Sequence, residues 1–260
     1  MSLDSHRGRV VHYPTNPDRF EFDDEVASVF DDMATRSICM YWEQHRLHSE
    51  FALSYTERKP FLDEDFTQKQ QLRVLDVGCS TGNFLHEFCN QFQKTRTTHC
   101  INAMAVDPSE AMCVKTKAKA PYALVLQAGI ENLSPEVHGK FHIINMSYVY
   151  QFLPTEERNR CLRILSSMCH PGGLVFTSHK FSVEGPGHVP DTYADLYNQF
   201  RLNNGYTQKE IDAKTHALKA SMATECDWDF INRVLDHDLI PTPLTRWLHF
   251  GSYVCVRQLP

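Results

Sequence analysis

The segment Val74-Leu75-Asp76-Val77-Gly78-Cys79-Ser80-Thr81-Gly82-Asn83 narrows the possible folds more than any other stretch of the chain. Leu72 to Val77 is a short run rich in Val and Leu, which is how a strand buried on both faces reads. From Asn83 to Phe92, the apolar Phe84, Leu85, Phe88 and Phe92 recur at helix spacing. Between the two, Gly78 and Gly82 let the backbone approach a ligand that a Cβ would push away. The same rhythm continues downstream. Strands are predicted over Ile101–Val106, Tyr122–Leu126, Phe141–Met146 and Leu174–Thr177, and helices over Ser109–Ala120 and Thr155–Cys169. Pro171-Gly172-Gly173 reads as a break before the last of these strands. Strand-helix alternation of this kind predicts an α/β, mostly parallel sheet covered on both faces, with ligands beyond the carboxyl ends of its strands.

The flanks read differently. Residues 1–22, with Pro14 and Pro17, predict an irregular arm ahead of one domain over 23–260. Asp23 to about Leu53 is helical in two pieces, and Glu57 to Gln71 is a polar connection. After a loop at Pro186, Gly187 and Pro190, helical stretches at Tyr193–Leu202 and Gln208–Met222 predict an inserted lid or dimer arm over about 183–223. A helix over Asp227–His237 and a strand over Trp247–Val256, paired with one near Leu239, bring the strands to seven.

Lys plus Arg number 26 against 32 Asp plus Glu, so phosphate neutralisation of nucleic acid is not expected. The nine cysteines include no Cys-x-x-Cys pair, the start lacks an apolar signal core, and no stretch approaches a membrane span. Reduced thiols in a cytoplasmic protein are expected, with neither membrane nor nucleic acid as partner. Among the 14 histidines, His45 and His48 have helix-face spacing and His138 and His142 lie four apart. Neither pair has a third ligand nearby in sequence, so no metal is expected.

Two strand tips carry the chemistry. The glycine spacing after Asp76 is not the Gly-x-Gly-x-x-Gly that seats a pyrophosphate, which points to a ligand without phosphates. The second strand ends at Asp107-Pro108-Ser109, and a carboxylate there can accept two hydrogen bonds from adjacent ribose hydroxyls. Together the two tips indicate a nucleoside ligand.

The run Val74–Asp107 resembles the class I S-adenosylmethionine-dependent methyltransferases, whose first strand ends in Asp-x-Gly-x-Gly-x-Gly. The middle glycine is Ser80 here, and Gly78-Cys79-Ser80 is similar to the loop of the carboxy-S-adenosylmethionine synthases. The stretch from Phe22 through Met33, Arg36-Ser37, Gln151-Phe152-Leu153, Lys180-Phe181, Asn204-Gly205-Tyr206 and Phe250-Gly251-Ser252 match further blocks of that family. The resemblance implies a Rossmann-like seven-stranded sheet and a cofactor that is S-adenosyl-L-methionine, its demethylated S-adenosyl-L-homocysteine form, or carboxy-S-adenosylmethionine. It implies a homodimer.

It also implies cofactor contacts. Tyr41 closes over the amino-acid end, and Gly78, Cys79 and Ser80 line the methionyl part. Asp107 and Pro108 take the ribose, Gly129 and Ile130 the adenine, and Ser147 the sulfonium side. Arg36 is a further candidate for the cofactor carboxylate. Three positions depart from the family: Gly129 stands where it has an acid, Ser147 where it has asparagine, and Thr215 where it has the arginine that holds the extra carboxylate from the neighbouring subunit. A hydroxyl cannot act as a bidentate guanidinium clamp. Thr215 and Arg201 are therefore the candidate substrate contacts, with Lys214 as an alternative point charge. His179 at a strand tip, where the family has glutamate, and Tyr150 are the catalytic candidates. The expected activity is methyl transfer to a small polar or acidic metabolite. The alternatives are a carboxy-S-adenosylmethionine synthase consuming prephenate and a silent cofactor-binding regulator.

Overall fold

The computed structural model describes residues 20–59, 61, 63–95, 98–184 and 189–259. Most of the expected N-terminal arm (1–19) and the loop at Pro186-Gly187 (185–188) lie outside the described residues. Two helices lead, α1 (Asp24–Ser37) and α2 (Tyr41–Arg58). The Asp23 carboxylate caps the first, accepting from the Val26 N–H at 2.9 Å. Met40, in a left-handed conformation at φ 57°, turns the chain into the second. The polar connection contains a short helix, α3 (Glu64–Thr67).

The sheet units follow as β1 (Gln71–Val77), α4 (Asn83–Phe92), β2 (Cys100–Asp107), α5 (Glu110–Lys119), β3 (Leu124–Gln127), α6 (Pro135–His138), β4 (Phe141–Ser147), α7 (Thr155–Met168) and β5 (Cys169–Lys180). The insertion supplies α8 (Pro190–Asn203) and α9 (Gln208–Lys219), and the chain continues through α10 (Asp227–Leu235), β6 (Leu239–Trp247) and β7 (Phe250–Arg257). The seven strands lie in the order β3-β2-β1-β4-β5-β7-β6, with β7 antiparallel to both neighbours and the other pairings parallel. The expected seven-stranded, mostly parallel Rossmann-like sheet is therefore present.

Alternation along β1 fills both faces. Leu72 and Val74 join Ala52, Phe84, Leu85 and Phe88 from α2 and α4. Leu75 and Val77 join Leu162, Leu165, Phe230 and Val234 from α7 and α10. Strand order reverses between β1 and β4, and a crevice opens beyond the carboxyl ends of strands at such a reversal.

Two expectations change. Pro171-Gly172-Gly173 is not a break but a bulge inside β5, where the register against β4 slips between Phe141 and Ile143. A Cβ on Gly173 would lie 2.8 Å from the His170 carbonyl oxygen and 2.9 Å from that of His142, so only glycine fits the bulge. Trp247 ends β6 rather than opening the last strand. The turn lies at Leu248, whose φ is 48°. Among the described residues no helix is long and apolar enough to cross a membrane.

Candidate functional site

The glycine turn is fastened to the tip of β2. The Gly78 and Cys79 N–H groups both donate to the Val106 carbonyl, at 2.8 and 3.0 Å. Gly78 sits at φ +65°, and a Cβ there would lie 2.2 Å from a Val149 methyl. Ser80 also has positive φ, 46°, which costs a serine about 1 kcal/mol that a glycine would not lose. Asp107 holds the turn from the other side. One carboxylate oxygen accepts from Ser80 N–H and the other from Ser109 N–H, each at 2.9 Å. Burial raises its pKa, against those two bonds. A carboxylate offers about four acceptor positions, so roughly two remain toward the cleft.

A cleft of about 1380 Å³ lies over these residues, lined by Tyr41, Gly78, Cys79, Ser80, Asp107, Pro108 and Ser147 among others. Pockets for a single small ligand run to about 1,000 Å³, so this one has room for two.

The N-terminal helices roof the cleft through one polar network. Asp31 accepts from Thr81 Oγ1 at 2.5 Å and Asn83 Nδ2 at 2.8 Å, and pairs with Lys119 at 2.8 Å. Burial opposes its ionisation, but Lys119 and the two donors outweigh that and lower its pKa. Asn83 Nδ2 also donates to the Tyr41 hydroxyl at 3.1 Å, which fixes that ring over the turn. One helical turn on, His45 lines the cleft while only 4% exposed, and among the described residues neither ring nitrogen has a hydrogen-bond partner. Burial drops its pKa to about 3, so the ring is neutral. In the sequence His45 stands out only for its helix-face spacing with His48, where no metal is expected. The available signal was instead a polar residue one turn from Tyr41 on a buried helix face.

His48 serves elsewhere. Its Nδ1 faces Asn145 Oδ1 at 3.2 Å, so that nitrogen carries the proton. Asn145 donates in turn to Asp76 at 2.8 Å, and its Oδ1 also accepts from the Ser147 hydroxyl at 2.9 Å. Burial pushes Asp76 up to about 7, against the bond from Asn145. Asn145, two residues from Ser147, thus supplies an asparagine close to where the family has one.

Several expected site residues lie off the cleft. His179 packs between Phe181, Phe230 and Tyr150, at ring distances of 4.1, 4.5 and 5.1 Å. It does not line the cleft, burial takes its pKa to about 3, and among the described residues both nitrogens lack hydrogen-bond partners. Strand parity is the reason: Lys180, the next residue, faces the cleft and His179 the opposite side. Tyr150 belongs to the same core, under the Arg158 guanidinium. Arg36 grips Asp32 at 2.7 and 2.9 Å and lies over the Tyr206 ring, which ties α1 to the α8–α9 turn instead of lining the cleft. Gly129 and Ile130 are also absent from the lining, because Ile130 opens a 3-10 turn packed into the core. Phe22, Phe152 and Leu153 line the cleft beside Pro108 instead. Arg201 and Thr215 do line it, 3.3 Å apart.

Replacing His179 by Phe is expected to keep turnover within about twofold and to hold or raise Tm, because two buried nitrogens without partners cost about 1–3 kcal/mol. Scanning calorimetry with a methyl-transfer assay measures both, and a large loss of turnover would return His179 to the reaction.

Outside the cleft, Asp63, His142 and His170 bring ligand-type atoms within 4.8 Å of one another. The Arg73 N–H donates to His142 Nδ1 at 2.8 Å, so His142 Nε2 bears the proton and donates to Asp63 at 2.8 Å. A neutral histidine binds an ion through its unprotonated nitrogen, which here is already bonded to the backbone. The donor set suits an Asp-His pair better than a metal.

A family described as a methyltransferase domain matches residues 74–173. A carboxy-S-adenosyl-L-methionine synthase of Trichodesmium erythraeum is 32% identical over 226 residues, covering 84% of this chain and 81% of that protein. The chain belongs to the carboxy-S-adenosyl-L-methionine synthase family. The family's member from Nitratiruptor is 26% identical over 254 residues, covering 92% of this chain and 94% of that one. Among solved structures, the plantazolicin methyltransferase bound to S-adenosylhomocysteine shares the fold at TM-score 0.63 and 12% identity, covering 90% of each chain. The magnesium protoporphyrin IX methyltransferase of Synechocystis does so at 0.54 and 12%, covering 89% of this chain and 94% of that one. This chain is an S-adenosylmethionine-dependent enzyme of the methyltransferase type.

Proposed function

We propose that the chain transfers a one-carbon group from S-adenosylmethionine to a small polar or acidic metabolite in the cleft beyond β1 and β4. Asp107 is the observation that carries this reading: its two oxygens are oriented by Ser80 and Ser109 N–H, with acceptor capacity left toward the cleft. The surroundings fit the group. Gly78 leaves no side chain where the methionyl part would lie, and His45 offers a buried nitrogen without a hydrogen-bond partner among the described residues.

In this reading Asp107 and Pro108 hold the ribose, and Gly78, Cys79 and Ser80 face the methionyl chain. Tyr41 and His45 close over the amino-acid end, and Ser147 with Asn145 lies on the sulfonium side. Phe22, Phe152 and Leu153 replace Gly129 and Ile130 as the adenine surroundings. When bound, the cofactor supplies an electrophilic carbon on a sulfonium. The protein's contribution is alignment, worth several kcal/mol of prepaid entropy. Burial keeps His45 and His48 uncharged, at about 3 and about 4, so neither repels that cation. We place the enzyme in a reducing cytoplasm, as its nine unbridged thiols suggest, and as a homodimer, on the family resemblance.

The reaction named for the relatives, synthesis of carboxy-S-adenosyl-L-methionine, is a second reading. The Arg201 guanidinium favours it, standing on the same wall as the Thr215 that replaces the family's arginine. Mass spectrometry of the co-purifying nucleoside separates the two.

Isothermal titration with S-adenosylmethionine across pH tests the site. Asp76 titrates at about 7 when folded, above its ordinary 3.8. The folded chain therefore keeps a proton there that the unfolded chain loses, so the contribution of Asp76 itself to stability without ligand falls as pH rises from about 4 to 7 and is flat above. A cationic ligand favours the ionised form, so affinity should rise from about pH 6 to about pH 7.5. Asp76→Asn should flatten that rise. No binding at millimolar cofactor would end the assignment.

A further inference from the structure

The tip of β4 holds a residue in a conformation that its own chemistry disfavours. Tyr148 follows directly on Ser147, the last residue of β4, and sits at φ 62°. Among the described residues it is the one aromatic side chain carried at positive φ, a region that a bulky residue enters only where its surroundings compel it. Here they do so from several sides. The Tyr148 N–H donates to the Ser178 carbonyl at 2.5 Å, and its hydroxyl donates to Gln44 Oε1, also at 2.5 Å. Gln44 is only 4% exposed and is tied in turn to β6, donating to Thr245 Oγ1 at 3.2 Å. The next residue, Val149, has a methyl 2.2 Å from where a Cβ on Gly78 would stand. The segment that carries the Tyr148 ring therefore abuts the glycine turn.

Tyr148 lines the cleft, in contact with the rings of Tyr41 and Phe250, whose centres lie 5.9 and 6.3 Å away. Its hydroxyl is committed to Gln44, and burial, then Tyr41 and Cys39, holds the phenol well above its usual range, so it stays uncharged. What the side chain has left to offer a ligand is an aromatic face. Lys or Arg side chains lie over the rings of Tyr55, Tyr150, Tyr197 and Tyr206, but among the described residues none lies over Tyr148. We propose that Tyr148 reads the positive charge on the cofactor's sulfur, its ring face favouring the sulfonium over the uncharged thioether. The face of an aromatic ring is electron-rich, and it attracts a cation most strongly where little water intervenes. This inference rests on the cofactor reading above and deepens it by naming a residue that sets specificity for the charged form. It holds for both readings of the reaction, since the sulfur enters as a sulfonium in each. It also gives the strained backbone a purpose: packing alone could be met from an ordinary conformation, whereas φ 62° directs this ring from the β4 tip into the cleft.

The full-length protein is titrated calorimetrically at about pH 8, above the titration of Asp76 at about 7, with three nucleosides. These are S-adenosylmethionine, S-adenosylhomocysteine and sinefungin, which bears an ammonium on a carbon in place of the methylated sulfur. Tyr148→Leu should weaken the two cations about tenfold and S-adenosylhomocysteine less than about twofold. Tyr148→Phe keeps the ring and loses only the bond to Gln44, so its S-adenosylmethionine affinity should stay within about threefold of the parent. If the leucine variant does not fold, progressively fluorinated phenylalanines placed at position 148 keep the shape while draining charge from the ring face. Affinity for S-adenosylmethionine should then fall with each added fluorine while that for S-adenosylhomocysteine stays level. Equal losses for charged and uncharged ligands, no change in Tyr148→Leu, or no dependence on fluorine overturns the proposal. Failure of all three nucleosides to bind the parent protein overturns the cofactor reading instead.

Discussion

Asp107→Ala should lower S-adenosylmethionine affinity about a hundredfold, and Asp107→Asn should do no better. The carboxylate orients the turn by accepting from Ser80 and Ser109, and in the proposed complex it accepts ribose hydroxyls as well. Charged hydrogen bonds of this kind contribute about 1.5–3 kcal/mol each, and losing about 3 kcal/mol costs roughly two powers of ten in affinity. Asparagine keeps the shape but sets an amide N–H₂ against one of the two backbone donors, so the turn must shift to avoid it. Titration calorimetry with circular dichroism distinguishes lost binding from lost folding. A penalty below tenfold in both variants would mean that the sugar sits elsewhere.

The largest stability effect is expected at Arg158. This side chain is 1% exposed, pairs with Glu225 at 2.9 Å, donates to the Ala223 carbonyl and covers the Tyr150 ring. It joins α7 to the segment that returns the chain from the insertion. Arg158→Met leaves Glu225 buried with the longer contact to Arg233, at 3.3 Å, as its remaining ion pair among the described residues. Breaking one side of a buried pair costs about 3–5 kcal/mol, or about 10 °C in Tm for a chain of this size. Adding Glu225→Gln should restore about half of the loss, because the stranded charge disappears. Thermal denaturation of the single and double variants measures it. An unchanged Tm in the single variant would show that the pair contributes nothing.

The parts of the fold that could be read ahead were those fixed by local periodicity. Helix α4 lies where its phenylalanines placed it, and the turn at Gly78 and the acid at Asp107 meet at the strand tips as expected. Parity and pairing could not be read this way. Whether His179 or Lys180 faces the cleft depends on the register of β5 against β4 and β7, and one step exchanges the two. Pro241 and Pro243 weakened the strand signal of β6, yet they are tolerated because β6 is an edge strand with a free side. Pro171-Gly172-Gly173 looked like a stop, because a bulge and a break use the same residues. His45 was missed because its significance depends on Tyr41, Asn83 and Asp31 converging from three separate helices.

That convergence also bears on how much chain makes a working module. The stretch matching the methyltransferase domain begins at residue 74, but Asp31 and Tyr41, some thirty to forty positions upstream, are bolted to Thr81 and Asn83. Transplanting the motif-bearing stretch by itself would deliver an open trough, its floor intact and its lid left behind. The smallest portable unit must start no later than Asp23, the residue that caps the first roofing helix.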